Sequence, residues 1–374
     1  MKKTICFSVI TLFLITGCAG GSKQSAEELV VINVTKSYPK KELKLQDIFD
    51  IEYIPLETTD EFLCGNRFIR FGDNFIAVSN RDQSIIIFDR NGKGLRKINN
   101  RGQGPGEYLV VGDIAFDGDN NEMFVLDVVG NRMFVYDLNG KFIRSFKFQD
   151  GYATIKIINF DRDHLMCITL SGKPRCYILS KQDGAIKESI EVPFEKQITM
   201  MEKDDLIGRL SEIRSFTYIP YRNNLILSDF SSDTFFIYSP DFKMTPFLAR
   251  TPSIHSMNTK LIFLPSMFTD FYYFMEIENY TTHAVREIVY DCRERAVFEC
   301  ALYNEDYPDE PFSIRPGGQL RFSYNKMTAY FAVFDSFRLV EANQAGKLKG
   351  RLKEIASQLD EEDNPVLMLL KHKN

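Results

Sequence analysis

The sequence predicts an all-β fold, a six-bladed β-propeller with one short C-terminal helix. Three observations predict it. Phe75–Asp89, followed by Arg90-Asn91-Gly92-Lys93, returns 48 residues later as Met123–Asp137, followed by Leu138-Asn139-Gly140-Lys141. Both copies read strand, polar turn, strand, Asn-Gly turn, strand. The pattern returns again at Leu225–Tyr238, where Asp229 falls on Asp127 and Tyr238 on Tyr136. Finally, 32 Phe and 17 Tyr in a chain of 374 residues favour pleated, half-buried strands over helices. A spacing of roughly 45–55 residues is that of four-stranded propeller blades, and the stretch 50–340 accommodates about six.

The elements follow in chain order. Lys2 and Lys3 precede a short apolar run, Ile5–Ile15, and then Ile15-Thr16-Gly17-Cys18. The run is too short for a permanent membrane span and has the three-part order of a signal peptide. Small residues before a Cys resemble the bacterial lipoprotein signal. That resemblance implies cleavage before Cys18, acylation of Cys18 and, with Ala19 next, sorting to the outer membrane. The other reading is an ordinary secretory signal with an incidental Cys. Residues 1–17 are thus expected to be a signal peptide, 18–29 a lipidated polar tether, and 30–374 the propeller.

Within the propeller, a weaker repeat lies around Leu165–Leu179. Phe271–Glu278, Arg286–Ala301, Gln319–Ser323 and Thr328–Phe334 read as strands of blades five and six, with Tyr303–Pro316 as a loop. In Gln344–Asp360, Leu348, Leu352, Ile355 and Leu359 recur at helical intervals. Asn364-Pro365 stops that helix and Val366–Leu370 returns as a strand. A propeller without an open edge joins its two ends in one blade, and Ile51–Leu56 with Val366–Leu370 are the expected closing strands.

These stretches together resemble the six-bladed propeller lipoproteins of Gram-negative bacteria, relatives of the NHL-repeat propellers. Tyr53–Glu57, Phe88–Gly92, Gly102-Gln103-Gly104-Pro105-Gly106-Glu107-Tyr108 and Asp363–Val366 carry the resemblance. It implies architecture and an envelope location, and no established reaction.

Two places are candidates for ligand contact. The innermost strands line a propeller's channel, and the register brings Arg67, Asp113, Lys156 and Arg214 to comparable heights. They are either a hydrated site for a polar ligand or a ring of mutual salt bridges. The loop Asn99–Tyr108 has glycines that expose amides, with Arg101, Gln103 and Glu107 as possible contacts. It lacks a Walker or dinucleotide pattern, and the other reading is a structural inter-blade turn pinned by Glu107 and Tyr108. Asp117–Asn121 fails both the Gly and the Glu requirements of an EF-hand. Like Gly72–Asn74, Asp161–Asp163 and Arg222–Asn224, it reads as the first turn of a blade. Phe268–Phe274 reads as inter-blade packing or an aromatic contact surface. Cys167/Cys176 and Cys292/Cys300 are spaced as hairpin disulfides or buried thiols.

The four histidines show no metal-ligand spacing, and no nucleophile elbow occurs. A net charge of −5 argues against nucleic acid. The expected function is a non-catalytic, membrane-tethered scaffold that binds a glycan, peptide or envelope protein, with no cofactor. The alternative is a metal-dependent hydrolase or lyase of NHL-related type.

Overall fold

A computed structural model describes residues 29–65, 68–149, 153–169, 174–198, 201–203, 210–212, 216–309, 311–314, 320–325 and 328–373. Cys18, Arg67 and Arg214 lie outside them.

Six antiparallel four-stranded units stand around a common axis. Blade 1 runs from the inside outward as Phe68–Phe71, Phe75–Ser79, Ile85–Asp89 and Gly94–Ile98. Blade 2 is Val111–Asp117, Glu122–Asp127, Arg132–Asp137 and Phe142–Lys147, and blade 3 is Thr154–Asn159, His164–Thr169, Cys176–Ser180 and Ile186–Ile190. Blade 4 is Phe216–Tyr221, Asn224–Asp229, Thr234–Tyr238 and Met244–Thr251, and blade 5 is Leu261–Phe268, Tyr272–Asn279, Val285–Asp291 and Ala296–Tyr303. Blade 6 takes Leu320–Asn325, Thr328–Phe334 and Val366–His372 from the C-terminal part, and its outermost strand, Phe49–Pro55, from the N-terminal part.

The ring therefore closes as the sequence leads one to expect, with Val366 opposite Pro55 and His372 opposite Phe49. The N-terminal segment also does something the sequence reading did not foresee. Val30–Asn33 adds a parallel fifth strand to blade 4, with Val30 opposite Leu248. Lys40–Lys44 does the same for blade 5, with Lys40 opposite Glu299. The segment is a belt over three consecutive blades, and it covers edges that would otherwise stay unpaired.

Both faces of each blade are buried, so strands such as Ile85–Phe88 are apolar without alternation. Successive residues point to different neighbours. Ile76 and Val78 pack toward blade 6, whereas Ala77 packs toward blade 2. The core is consequently a set of radial layers between blades. The largest joins blades 4, 5 and 6 with the belt. Phe268, Tyr273 and Phe274 of the aromatic stretch lie in it, and Phe268 and Tyr273 are in ring contact with Tyr221 and Phe247. Phe271 alone of that stretch is a large exposed ring, 54% accessible.

The repeated Asp-Asn-Gly turns have one construction. Asp89 accepts the amides of Asn91 and Lys93, and Asp137 those of Asn139 and Lys141. Gly92 and Gly140 both sit at φ +87°, which glycine adopts without strain.

The helix expected over 344–360 occupies Gly350–Ala356, and a second helix, Ser336–Gln344, precedes it. Gly346 at φ +71° separates the two. Both are inserted between the second and third strands of blade 6. Leu339, Leu348, Leu352 and Ile355 anchor them in the large core layer.

No disulfide joins the paired cysteines. Cys167 faces Tyr177, one residue away from Cys176, so the two thiols point to opposite faces of blade 3. Cys167 lies in the layer toward blade 2 and Cys176 in the layer toward blade 4. Cys292 lies in the turn after Asp291, while Cys300 lies on the outer strand of blade 5, where Lys41 of the belt faces it.

Candidate functional site

The channel candidates do not assemble into an open site among the described residues. Asp113 and Lys156 do hold equivalent register positions, each just after a bulge, opposite Leu126 and Ile168. Asp113, however, is fully buried and engaged on both oxygens. Arg70 of blade 1 donates to Oδ1, and the Ile157 amide of blade 3 donates to Oδ2 at 3.0 Å. One carboxylate thus ties three blades together. Arg70, which sequence reasoning passed over, is the cation that meets it. Lys156 is half-buried.

Loop 99–108 is a self-supporting connection. The Glu107 carboxylate accepts the Gly104 amide at 2.8 Å, and the Gly102 amide donates to the Tyr108 carbonyl. The Tyr108 phenol is buried and donates to the Gln83 carbonyl at 3.0 Å, and burial pushes it up to about 12. Tyr136 donates to the Gly106 carbonyl at 2.8 Å. At Gly106, φ is +81° and a Cβ would press on the Phe142 ring. These contacts give the inter-blade-turn reading its physical basis. Arg101 and Gln103 are exposed beside it.

Other charges in the blades have similar structural work. Asp127, 2% exposed, accepts the amides of Leu109, Val110, Val129 and Gly130. Lys181, 4% exposed, donates to Asp117 Oδ2 at 2.7 Å and to the carbonyls of Asp161 and Arg162. That buried ion pair holds the first turn of blade 3 against blade 2. The histidines are dispersed. His164 meets Asp161, His255 the Ser231 carbonyl, and His283 Glu278, while His372 packs on Phe49 and Tyr330. Among the described residues, no group of three or more His, Cys, Asp or Glu side chains is placed to hold a metal ion.

The concave site lies on the opposite face from loop 99–108. There the turns after the innermost strands of blades 1 to 4 surround a cavity of about 440 Å³. Phe71, Phe75, Phe116 and Phe160 supply apolar wall, with Phe75 and Phe116 edge to face at 4.6 Å. Asp73, Asp119, Asn159 and Asn223 supply polar groups. Asn159 Oδ1 is buried and accepts no hydrogen bond from the described residues. A second, shallower groove of about 620 Å³ crosses from blade 2 to blade 3 on the same face, and Arg162 borders both. The turns were legible in the sequence. Their convergence was not, although their equivalent position in each repeat was the signal for it.

This geometry can be set beside known proteins. The chain belongs to the DUF4934 family. That family is described as a domain of unknown function, and it matches residues 29–371. A crystal structure of a Bacteroides fragilis protein described as exported is similar to the chain, with a TM-score of 0.61 at 15% identity, covering 90% of this chain and 100% of that one. That likeness supports the six-bladed fold. A DUF4221 family member from Bacteroides vulgatus is also similar, with a TM-score of 0.48 at 14% identity, covering 87% of this chain and 98% of that one. No curated protein matches the chain.

Proposed function

We propose that this DUF4934 protein is a non-catalytic, membrane-tethered binding propeller of the bacterial envelope. The cavity on the blade 1–4 turns carries the proposal. Its volume falls in the range of small-molecule sites, and it combines apolar wall with a few polar groups. The buried charges Asp113, Asp117 and Lys181, by contrast, are engaged in joining blade to blade. The signal-like N-terminus ending at Cys18 and the description of the Bacteroides fragilis relative as exported support the location. An outer-membrane anchor through Cys18 and a glycan, peptide or envelope-protein ligand belong to the same proposal. The channel charges and loop 99–108, with Arg101, Gln103 and Glu107, are not the contacts we favour.

Two measurements test it. Cell fractionation should find the wild-type chain in the membrane and the Cys18→Ala chain released from it. Equal membrane association of the two would refute the lipid tether. Thermal melting of the purified chain with oligosaccharides, peptides and divalent cations tests the cavity. A ligand at about 100 times its dissociation constant adds roughly 2.7 kcal/mol, or about 4 °C for a domain of this size. A shift that survives Asp119→Ala and Asn159→Ala would remove the cavity from the proposal.

A further inference from the structure

We infer that the cavity and the groove beside it form a site for an uncharged oligosaccharide. The inference rests on the binding reading above and names its ligand class. A pyranose ring is amphipathic: its C–H faces are apolar and its periphery carries hydroxyls, each able to donate and accept. The cavity has the matching division. Phe75, Phe116 and Phe160 offer ring surface. Asn159 Oδ1 is a buried acceptor that receives no hydrogen bond from the described residues, and a hydroxyl entering the cavity would supply the donor it lacks. Asp73 and Asp119, both exposed at the rim, can each accept from vicinal hydroxyls.

Charge disfavours anions, and unsatisfied hydrogen-bond donors disfavour cations. An anionic sugar would meet Asp73 and Asp119 at the rim, and like charges disfavour each other there. A cation would be drawn to Asp73 and Asp119, the third carboxylate of the lining, Asp161, being engaged by His164, but it would leave the amide donors of Asn223 and Asn121 without acceptors and would meet Arg162 where the cavity passes into the groove. A neutral polyol uses both. The groove explains why more than one sugar unit is expected. It continues from Arg162 past His164 to Lys187, and it is polar and open. Arg144 and Lys181 along it are already engaged by Glu122 and Asp117, which leaves Arg162 and Lys187 against Asp163, a small net positive charge for an acidic polymer.

The test is binding of the purified full chain, in detergent if membrane-bound, to an array of uncharged and acidic glycans, followed by calorimetry with the best-bound oligosaccharide. Uncharged oligosaccharides should bind, and the trisaccharide should bind more tightly than the monosaccharide. Asp119→Ala, at an exposed rim position, and Asn159→Ala should each weaken binding about tenfold, the scale of one lost hydrogen bond. Glu107→Ala, on the opposite face, should leave binding unchanged. Absence of any uncharged glycan ligand, a preference for acidic glycans, or affinity unaltered in both cavity variants would overturn the inference. A photo-crosslinker at Asn223 separates the two levels of failure. If no glycan binds but the crosslinker captures an envelope protein in cells, the saccharide class falls and the binding reading stands. If neither occurs, both fall.

Discussion

Replacing Asp113 by alanine should be among the most damaging single changes in the protein. The carboxylate is fully buried and holds Arg70 from one neighbouring blade and the Ile157 amide from the other. Its loss strands a guanidinium that is only 16% exposed. Breaking one partner out of a buried pair costs about 3–5 kcal/mol, and an unsatisfied buried amide costs about 1–3 kcal/mol. The lower ends apply, because Arg70 retains a hydrogen bond to the Ile69 carbonyl at 2.7 Å and some access to water. The expected destabilisation is therefore about 4 kcal/mol, or roughly 6 °C in melting temperature for a domain this large. Urea unfolding of wild type, Asp113→Ala, Arg70→Ala and the double variant measures it. The cycle should return a coupling of about 1–3 kcal/mol between the two residues. A loss below about 1 kcal/mol for Asp113→Ala, well short of the buried-pair cost, or no coupling to Arg70, would refute the account of Asp113 as a three-blade tie.

Three further predictions follow from the same geometry. Lys41 fastens the belt to blade 5 through Asp291 at 2.7 Å and Glu294 at 2.6 Å. Burial alone would raise the Asp291 carboxyl, but Lys41 and the amides of Glu294 and Arg293 outweigh it and hold the group below its ordinary value of 3.8. A depressed carboxyl contributes stability above its unfolded pKa and loses it as pH falls, so the stability gap between wild type and Lys41→Met should be full at neutral pH and shrink below about pH 4. A gap independent of pH across that range would contradict the pairing. Gly92→Ala should cost about 2 kcal/mol or more in denaturant unfolding, since φ is +87° and a Cβ would meet the Pro55 carbonyl of the closing strand. The folded chain should react slowly with a thiol reagent at pH 8, because burial pushes Cys64, Cys167 and Cys300 up to about 12, and denaturation without reductant should release Cys64, Cys167, Cys176, Cys292 and Cys300 together. A mass loss of two hydrogens in the native protein would show a disulfide instead.

Much of the architecture was legible because a blade is a local object. Strand, turn and strand lie within about 50 residues, and each strand carries its own pattern of β-branched and aromatic side chains. The closing pair Phe49–Pro55 and Val366–His372 was legible for a different reason: a ring whose last blade lacks one strand, with a spare strand at the other end of the chain, has few ways to close. The site was much less legible. Asp113 and Lys156 were placed at the right height, but height does not tell whether a carboxylate faces water or a neighbouring guanidinium. Arg70 decides that, and it stands one register step away from the expected series. Loop 99–108 stood out for its glycines, yet the Glu107 carboxylate and the buried Tyr108 phenol are engaged in holding the turn.

The blade, its hairpin turns, the strand-rich composition and the signal-like N-terminus were readable from the chain alone, because each depends on residues close together in it. The folded ring set the belt, whose strands pair in parallel with partners more than 200 residues away, Val30 with Leu248 and Lys40 with Glu299. It also decided the fate of Cys167 and Cys176, where a one-residue offset in register sends the thiols to opposite faces. The cavity belongs to the same class. Asp73, Asp119, Asn159 and Asn223 share no contiguous motif, and they meet because four equivalent turns emerge on one face of a closed ring. Ring closure is a property of the whole chain, so the site it creates cannot be read from any one segment.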